Sequence, residues 1–284
     1  MRSLEGLSVE RPASLKKAVE LLSDGGQALA GGTDLVVRLG RAQEKPQRLV
    51  YLGRIPELTS WETAGDHAEI GAAVTHAEIL ASPLAKHLPI LRQALSSIGG
   101  PAIRAAGTLG GNVANASPAA DGLIPLYLLD AKLRISGAEG ERVVPVSSFV
   151  RGPGLTDLQP AEVIRSIVVT FPKGSPLSYF RKVGRRRALV IAIASLGALV
   201  WVNEGEIRQA RLALGSVAPT VLRPQSLEQA LPGRPLQPRA LEDLAQELSQ
   251  ATRPIDDLRA PGEYRRQVSG SLLLDMTEVL STAA

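Results

Sequence analysis

"TLGGNVANASPAAD", Thr108 to Asp121, is the stretch on which the reading of this chain turns. Gly110 and Gly111 have no Cβ, so the backbone there can reach positive φ and approach another group closely. Thr108 and Asn112 flank the pair with a hydroxyl and an amide, and Asn115, Ser117 and Asp121 follow. Such a stretch is either a tight turn or a loop whose N–H groups converge on an anion. A glycine pair beside a Thr hydroxyl occurs once more upstream, in "AGGTDL" (Ala30, Gly31, Gly32, Thr33, Asp34, Leu35). Neither stretch fits G-x-G-x-x-G or runs into Gly-Lys-Ser/Thr, so a Rossmann fingerprint and a P-loop are unsupported. Two glycine turns, each preceded by apolar residues, point to a clasp for the diphosphate of a dinucleotide. The hydroxyls and the amide add donors for phosphate or ribose oxygens.

Composition removes other classes. The chain has no cysteine, which excludes a thiolate-held iron–sulfur cluster, a disulfide and a thiol nucleophile on this chain. His67, His76 and His87 stand in no ligand spacing, so no metal-ligating residues are expected. Aromatic residues make up only 3%, too few for base-stacking platforms, and no nucleic-acid partner is expected. The net charge of +4 is dispersed except at Lys182, Arg185, Arg186 and Arg187. An apolar fraction of 44% and a charged fraction of 21% are those of a globular protein. At 284 residues it has room for one large domain or two modest ones. The N-terminus has no apolar signal core, and the uncharged apolar run Ala188 to Val202 is too short to span a bilayer. A cytoplasmic protein with no membrane span is the expectation.

Periodicity supplies the organisation. Ser14 caps a helix with Leu15, Ala18, Val19 and Leu22 on one face, and "RLVYL" reads as a strand, giving a small α+β unit over residues 1–55. Thr75 and Glu78 form a capping box, with His76 on the helix surface. "SPLAKHLPILRQALSSIGG" reads as helical as far as Gly99-Gly100, and "KLRIS" and "VIRSIVVTF" read as strands. "FPKGSP", Phe171 to Pro176, marks the domain boundary. Beyond it "IAIASLGALVWV" and "IRQARLALGSV" form a hairpin, then two helical patterns follow, at Leu241 to Leu248 and from Glu263 to Leu274. Taken alone, Asp121 is a helix cap before "GLIPLYLL", and the Lys-Arg cluster is a solvated face. No Ser-His-Asp or H-E-x-x-H pattern is present, so no catalytic residue is assigned and a bound cofactor carries any chemistry.

With both glycine stretches and "FRKVGRRRALVIA" in view, the chain resembles the FAD-binding medium subunit of the xanthine dehydrogenase and carbon monoxide dehydrogenase family of molybdenum hydroxylases. The resemblance also rests on "RPASLKKAVELL", "ARLALGSVAPT" and "EYRRQV", blocks that in this order cover nearly the whole chain. It implies an α+β architecture: a p-cresol-methylhydroxylase-type FAD-binding fold of two α+β subdomains, residues 1–55 and 56–172, then a CO-dehydrogenase-flavoprotein-type C-terminal α+β domain, residues 176–284. It places Ala30 to Leu35 and Thr108 to Asn112 at the FAD diphosphate and ribityl chain, Asn115, Ser117 and Asp121 at the rest of the dinucleotide, and Lys182 by the flavin ring. The implied function is electron transfer from the [2Fe–2S] clusters of a small subunit to NAD or another acceptor. A molybdopterin-binding large subunit would oxidise the substrate, within a dimer of heterotrimers. Eukaryotic xanthine dehydrogenases carry acidic residues after the double arginine, where this chain has Ala188, Leu189 and Val190, so the acceptor stays open. The residues alone also allow a free-standing FAD oxidoreductase of this fold, or a basic interaction protein without flavin.

Overall fold

The computed structural model describes residues 6–41, 46–186 and 189–282. Its first unit is a parallel three-stranded sheet in the order β1-β3-β2, with β1 Ser8–Glu10, β2 Gln27–Leu29 and β3 Arg48–Tyr51. The helix Leu15–Ser23 begins where expected: the Ser14 hydroxyl accepts from Lys17 N at 3.3 Å. Its face of Ala18, Val19 and Leu22 is buried with Val50 and Leu52. A second short helix, Leu35–Gly40, follows the first glycine stretch.

The second unit is a five-stranded antiparallel sheet, formed by β4 Trp61–Ala64, β5 His67–Gly71, β6 Lys132–Gly137, β7 Gly140–Pro145 and β10 Val163–Thr170. Their order is β4-β5-β10-β6-β7, and a ribbon of β8 Val150–Gly152 and β9 Leu155–Thr156 lies beside it. Ile167 of β10 pairs with Ile70 on one side and Leu133 on the other, and all three are fully buried. Short helices between β5 and β6 cover this face. The expected single helix up to Gly99-Gly100 is two helices, Leu84–His87 and Pro89–Ser96. Pro89 excludes helical geometry from Leu88, whose φ of −125° and ψ of 67° end the first segment.

In the C-terminal unit β11 Leu177–Val183, β12 Ala194–Asn203 and β13 Glu206–Gly215 form an antiparallel sheet in chain order. Glu204 and Gly205, both at positive φ (51° and 77°), close the expected hairpin in the manner that matches strand twist. One face of the sheet packs on the helices Glu242–Ala251 and Gly262–Ser281 through Leu196, Val200, Leu212, Leu272 and Met276. A further helix, Gln225–Ala230, has no counterpart in the sequence reading.

The other face of that sheet is buried too, which explains the unbroken apolar run of β12. Leu199 and Ala213 join the core of the second unit, and the apolar helix Leu123–Leu128 lies across Gly197 and Gly215 through Ile124. Polar links frame this seam. Arg211 donates to Leu128 O at 2.7 Å, Arg223 to Tyr127 O at 3.0 Å, Gln93 to Ser178 O at 3.1 Å, and Ser216 N to Pro118 O at 2.8 Å. Among the described residues no helix is long and apolar enough to cross a membrane. Truncating the fully buried Ile124 removes packing on both sides of the seam. Ile124→Ala should lower the stability of the whole chain by about 2–5 kcal/mol in a urea titration, with both halves unfolding earlier. A change under about 0.5 kcal/mol would mean the seam carries no stability.

Candidate functional site

The three units surround one cavity of about 950 Å³. Its wall is built from residues 30–35, 98–100, 107–108, 110–112 and 117–121 of the first two units, and 189–191, 216, 218–219, 253–255 and 257 of the third. All fourteen residues singled out from the sequence line it: Ala30, Gly31, Gly32, Thr33, Asp34, Leu35, Thr108, Gly110, Gly111, Asn112, Asn115, Ser117, Asp121 and Lys182.

The two glycine stretches meet backbone to backbone. A Cβ on Gly31 would stand 1.9 Å from Ala106 O and 2.7 Å from Ala106 C, so any side chain there forces the segments apart. Among the described residues nothing accepts a hydrogen bond from the backbone N–H groups of Gly31, Gly32, Thr33 and Asp34. The residues after them form the helix Leu35–Gly40, whose cap residue Asp34 makes no side-chain capping bond. This first stretch therefore leaves four backbone donors unused among the described residues.

The second stretch is different. It is not a loop but the first turns of the helix Leu109–Asn115, capped by Thr108, whose hydroxyl accepts from Gly111 N at 3.0 Å. Leu109 N donates to Val74 O at 3.1 Å, Gly110 N to Ala72 O at 2.9 Å and Asn112 N to Thr108 O at 3.0 Å. These N–H groups are committed, and the expectation of a second anion nest is corrected. Gly110 is required for another reason: a Cβ there would lie 2.6 Å from Ala72 O. The stretch offers the cavity a thin glycine wall and the Asn112 amide, whose Oδ1 is buried without a partner among the described residues.

Asn115 Oδ1 accepts from Arg38 Nη1 at 2.6 Å, tying the helix Leu35–Gly40 to the end of the helix Leu109–Asn115. Arg38 was missed in the sequence because it looks like any basic helix residue. Ser117 Oγ accepts from Ala119 N at 3.2 Å and holds the turn before Asp121. Asp121 does not cap the following helix, whose cap is Gly122 without a side-chain bond. Its Oδ2 instead lies 2.6 Å from Lys182 Nζ, and both side chains are nearly buried, 7% and 11% exposed. Lys182 also donates to Ser97 O at 2.7 Å and Val190 O at 3.2 Å, which uses all three of its hydrogens. Burial pushes the Asp121 carboxyl above its ordinary range, against the opposing pull of Lys182 and the Ser97 hydroxyl. So the basic cluster is not one solvated face. Arg185 and Arg186 are exposed and donate to Leu258 O (3.3 Å) and Leu189 O (2.5 Å), whereas Lys182 joins two domains. Arg187 and Ala188 lie outside the described residues.

His76 also departs from expectation. The capping box at Thr75 and Glu78 is present, yet His76 is only 3% exposed. Its N–H donates to Gly107 O at 2.9 Å, which presses this helix start onto the second glycine stretch. Burial, with the positive field of Arg104, lowers its pKa to about 4, so the ring in the cavity wall is neutral at pH 7.

A mixed α+β scaffold whose three units enclose a cavity of this size defines a class of small-molecule-binding protein. Residues 5–172 match the family described as FAD binding domain in molybdopterin dehydrogenase, and residues 178–279 match the CO dehydrogenase flavoprotein C-terminal domain. The chain belongs to the FAD-binding subunits of xanthine dehydrogenase- and CO dehydrogenase-type molybdenum hydroxylases, which are oxidoreductases, and FAD is its cofactor. It is 35% identical over 265 residues to the xanthine dehydrogenase FAD-binding subunit of Escherichia coli, covering 91% of this chain and 90% of that one. It is 32% identical over 267 residues to the carbon monoxide dehydrogenase medium chain of Afipia carboxidovorans, with 93% and 92% covered. Its fold is similar to quinoline 2-oxidoreductase from Pseudomonas putida, with a TM-score of 0.93 at 26% identity and 98% of both chains covered.

Two outcomes are expected from this geometry. Asp121→Asn leaves a buried lysine charge unmatched and should destabilise the chain by about 3 kcal/mol, while adding Lys182→Met should restore most of it. Equal losses in single and double variants, measured by urea unfolding, would rule against the pair. For His76 the folded pKa lies below the unfolded value of 6.5, so its contribution is intact above pH 6.5 and is lost as pH falls toward 4. The wild-type stability curve should fall over that window by on the order of 3 kcal/mol more than that of His76→Gln. Parallel curves would place the ring in solvent.

Proposed function

We propose that FAD lies in the interdomain cavity with its diphosphate against the four spare N–H groups of Gly31, Gly32, Thr33 and Asp34. That unpaired row is the observation that carries the assignment, since a diphosphate supplies the acceptors it lacks. The Thr33 hydroxyl adds a donor, and Ala30 and Leu35 fix the two ends of the loop. The glycine wall of Gly110 and Gly111 leaves room for the cofactor chain, with Thr108, Asn112, Asn115 and Ser117 supplying polar atoms along the ribityl and nucleotide portions. The cavity volume sits at the upper end of the roughly 300–1,000 Å³ found for small-molecule sites, which suits a dinucleotide.

The ring system is assigned to the end of the cavity where Asp121 and Lys182 meet. Lys182 there holds Val190 and Ser97 in place, and Asp121 keeps the local charge balanced, so the wall is set before the cofactor arrives. The apolar side chains of Leu189 and Ile191 border the same opening. Bound flavin supplies a centre that accepts electrons singly and releases them in pairs. The subunit in this reading takes electrons from the [2Fe–2S] clusters of a small subunit and passes them to NAD or another acceptor. The substrate is oxidised on a molybdopterin-binding large subunit, in a cytoplasmic dimer of heterotrimers. Division into an FAD-binding domain over residues 1–172 and a C-terminal domain over residues 176–284 is supported by the turn between β10 and β11.

The purified chain should be yellow and release FAD at about one per chain on denaturation, and Gly31→Val should abolish uptake by driving residue 31 away from Ala106. A colourless chain that takes up no added FAD would end this reading. In the assembled complex, reducing the clusters should bleach the flavin absorbance. Clusters that stay reduced beside an oxidised flavin would end the electron-transfer part alone.

A further inference from the structure

We propose that Arg265 is the positioning residue for the C-terminal wall of the cavity, an inference that rests on the FAD-site reading for its functional consequence. Arg265 belongs to the "EYRRQV" block and lies on the helix Gly262–Ser281, only 2% exposed. Its Nη1 donates to Ile193 O at 2.7 Å and Ser216 O at 3.2 Å, and its Nη2 donates to Asp257 Oδ1 at 2.6 Å. These acceptors sit on three segments far apart in sequence, and each segment contributes to the cavity wall through Ile191, Ser216 and Asp257.

The three segments lie outside the strands and have few backbone anchors: Ile193 N donates to Val183 O at 2.7 Å, Ser216 N to Pro118 O at 2.8 Å and Arg253 N to Val217 O at 2.8 Å. Residues 189–193, 216–220 and 252–260 are irregular backbone, so their positions depend on specific hydrogen bonds. The guanidinium is a planar fork of fixed donors, and one such group sets the spacing of all three at once. Asp257 extends the effect, since its Oδ1 also accepts from Arg259 N at 2.7 Å and Ala260 N at 3.3 Å, folding its loop around the carboxylate. A lysine has a compact charge on a flexible stem and cannot reproduce that spacing. Having given up its solvation on burial, the cation depends on these acceptors, and loss of the Asp257 carboxylate is strongly destabilising.

The test compares full-length Arg265→Lys, Asp257→Asn and a control, Leu272→Ala, which opens the core of the same helix away from the cavity. Hydrogen exchange of the chain without added FAD is followed together with FAD titration by flavin fluorescence and visible circular dichroism. In Arg265→Lys, exchange should quicken in all three segments together while residues 101–112 stay as in wild type. The FAD dissociation constant should rise about tenfold, with altered dichroism of the bound flavin, and Asp257→Asn should move both readouts the same way. Leu272→Ala should unfold at lower denaturant yet bind FAD within about twofold of wild type. Should Arg265→Lys fail to fold, Asp257→Asn decides. Wild-type exchange in the three segments, or an equal affinity loss in Leu272→Ala, overturns the proposal. Coupled exchange in a chain that binds no FAD would leave the positioning role standing and remove the FAD assignment instead.

Discussion

Ala106 O stands where the Cβ of any other residue at position 31 would be, and the rest of the site follows from that contact. With a hydrogen in place of a side chain, the loop after β2 settles onto the helix Pro101–Ala106 from the second unit. The two subdomains are then joined where the loop also leaves four N–H groups without acceptors among the described residues. In a closed interior such donors would be strongly destabilising, so they are tolerable only where solvent or a ligand reaches them. The cavity provides that access.

The C-terminal sheet completes the enclosure through a different kind of constraint. Apolar on both faces, it has to be covered twice: by its own helices on one side and by Ile124 and its neighbours on the other. That double burial holds the two domains together and brings Lys182 onto Asp121 across the seam. A pair so thoroughly removed from water adds little net stability relative to apolar residues, but losing either partner is severe. Its consequence is geometric: it sets where β11, the turn at Ser97 and the segment at Val190 stand relative to one another.

Much of this was legible in the chain. The Ser14 cap, the Thr75–Glu78 box and the Glu204-Gly205 hairpin are local signals, decided by side chains reaching backbone groups within a few residues. The two glycine stretches were legible because their residue types are unusual together, whereas Lys182 was placed only through the family resemblance, its cluster alone reading as a solvated face. Other features were hidden. His76 has the sequence context of a surface helix position, and its burial comes from tertiary packing, with Gly107 against its ring. Arg38 and Arg265 look like ordinary helix arginines, and their partners, Asn115 and Asp257 with two distant carbonyls, cannot be inferred from spacing.

The sequence by itself determined the elements, the two flexible glycine positions, the absence of thiolate ligands and the family to which the chain belongs. Those properties depend on residue type and on neighbours a few positions away. Tertiary structure alone decided which glycine stretch has N–H groups to spare. Both have the composition of an anion nest, but Ala72 O, Val74 O and the Thr108 side chain claim the donors of the second, while among the described residues nothing claims those of the first. A hydrogen-bond donor is available only when no folded neighbour has taken it, and a linear sequence does not contain that fact.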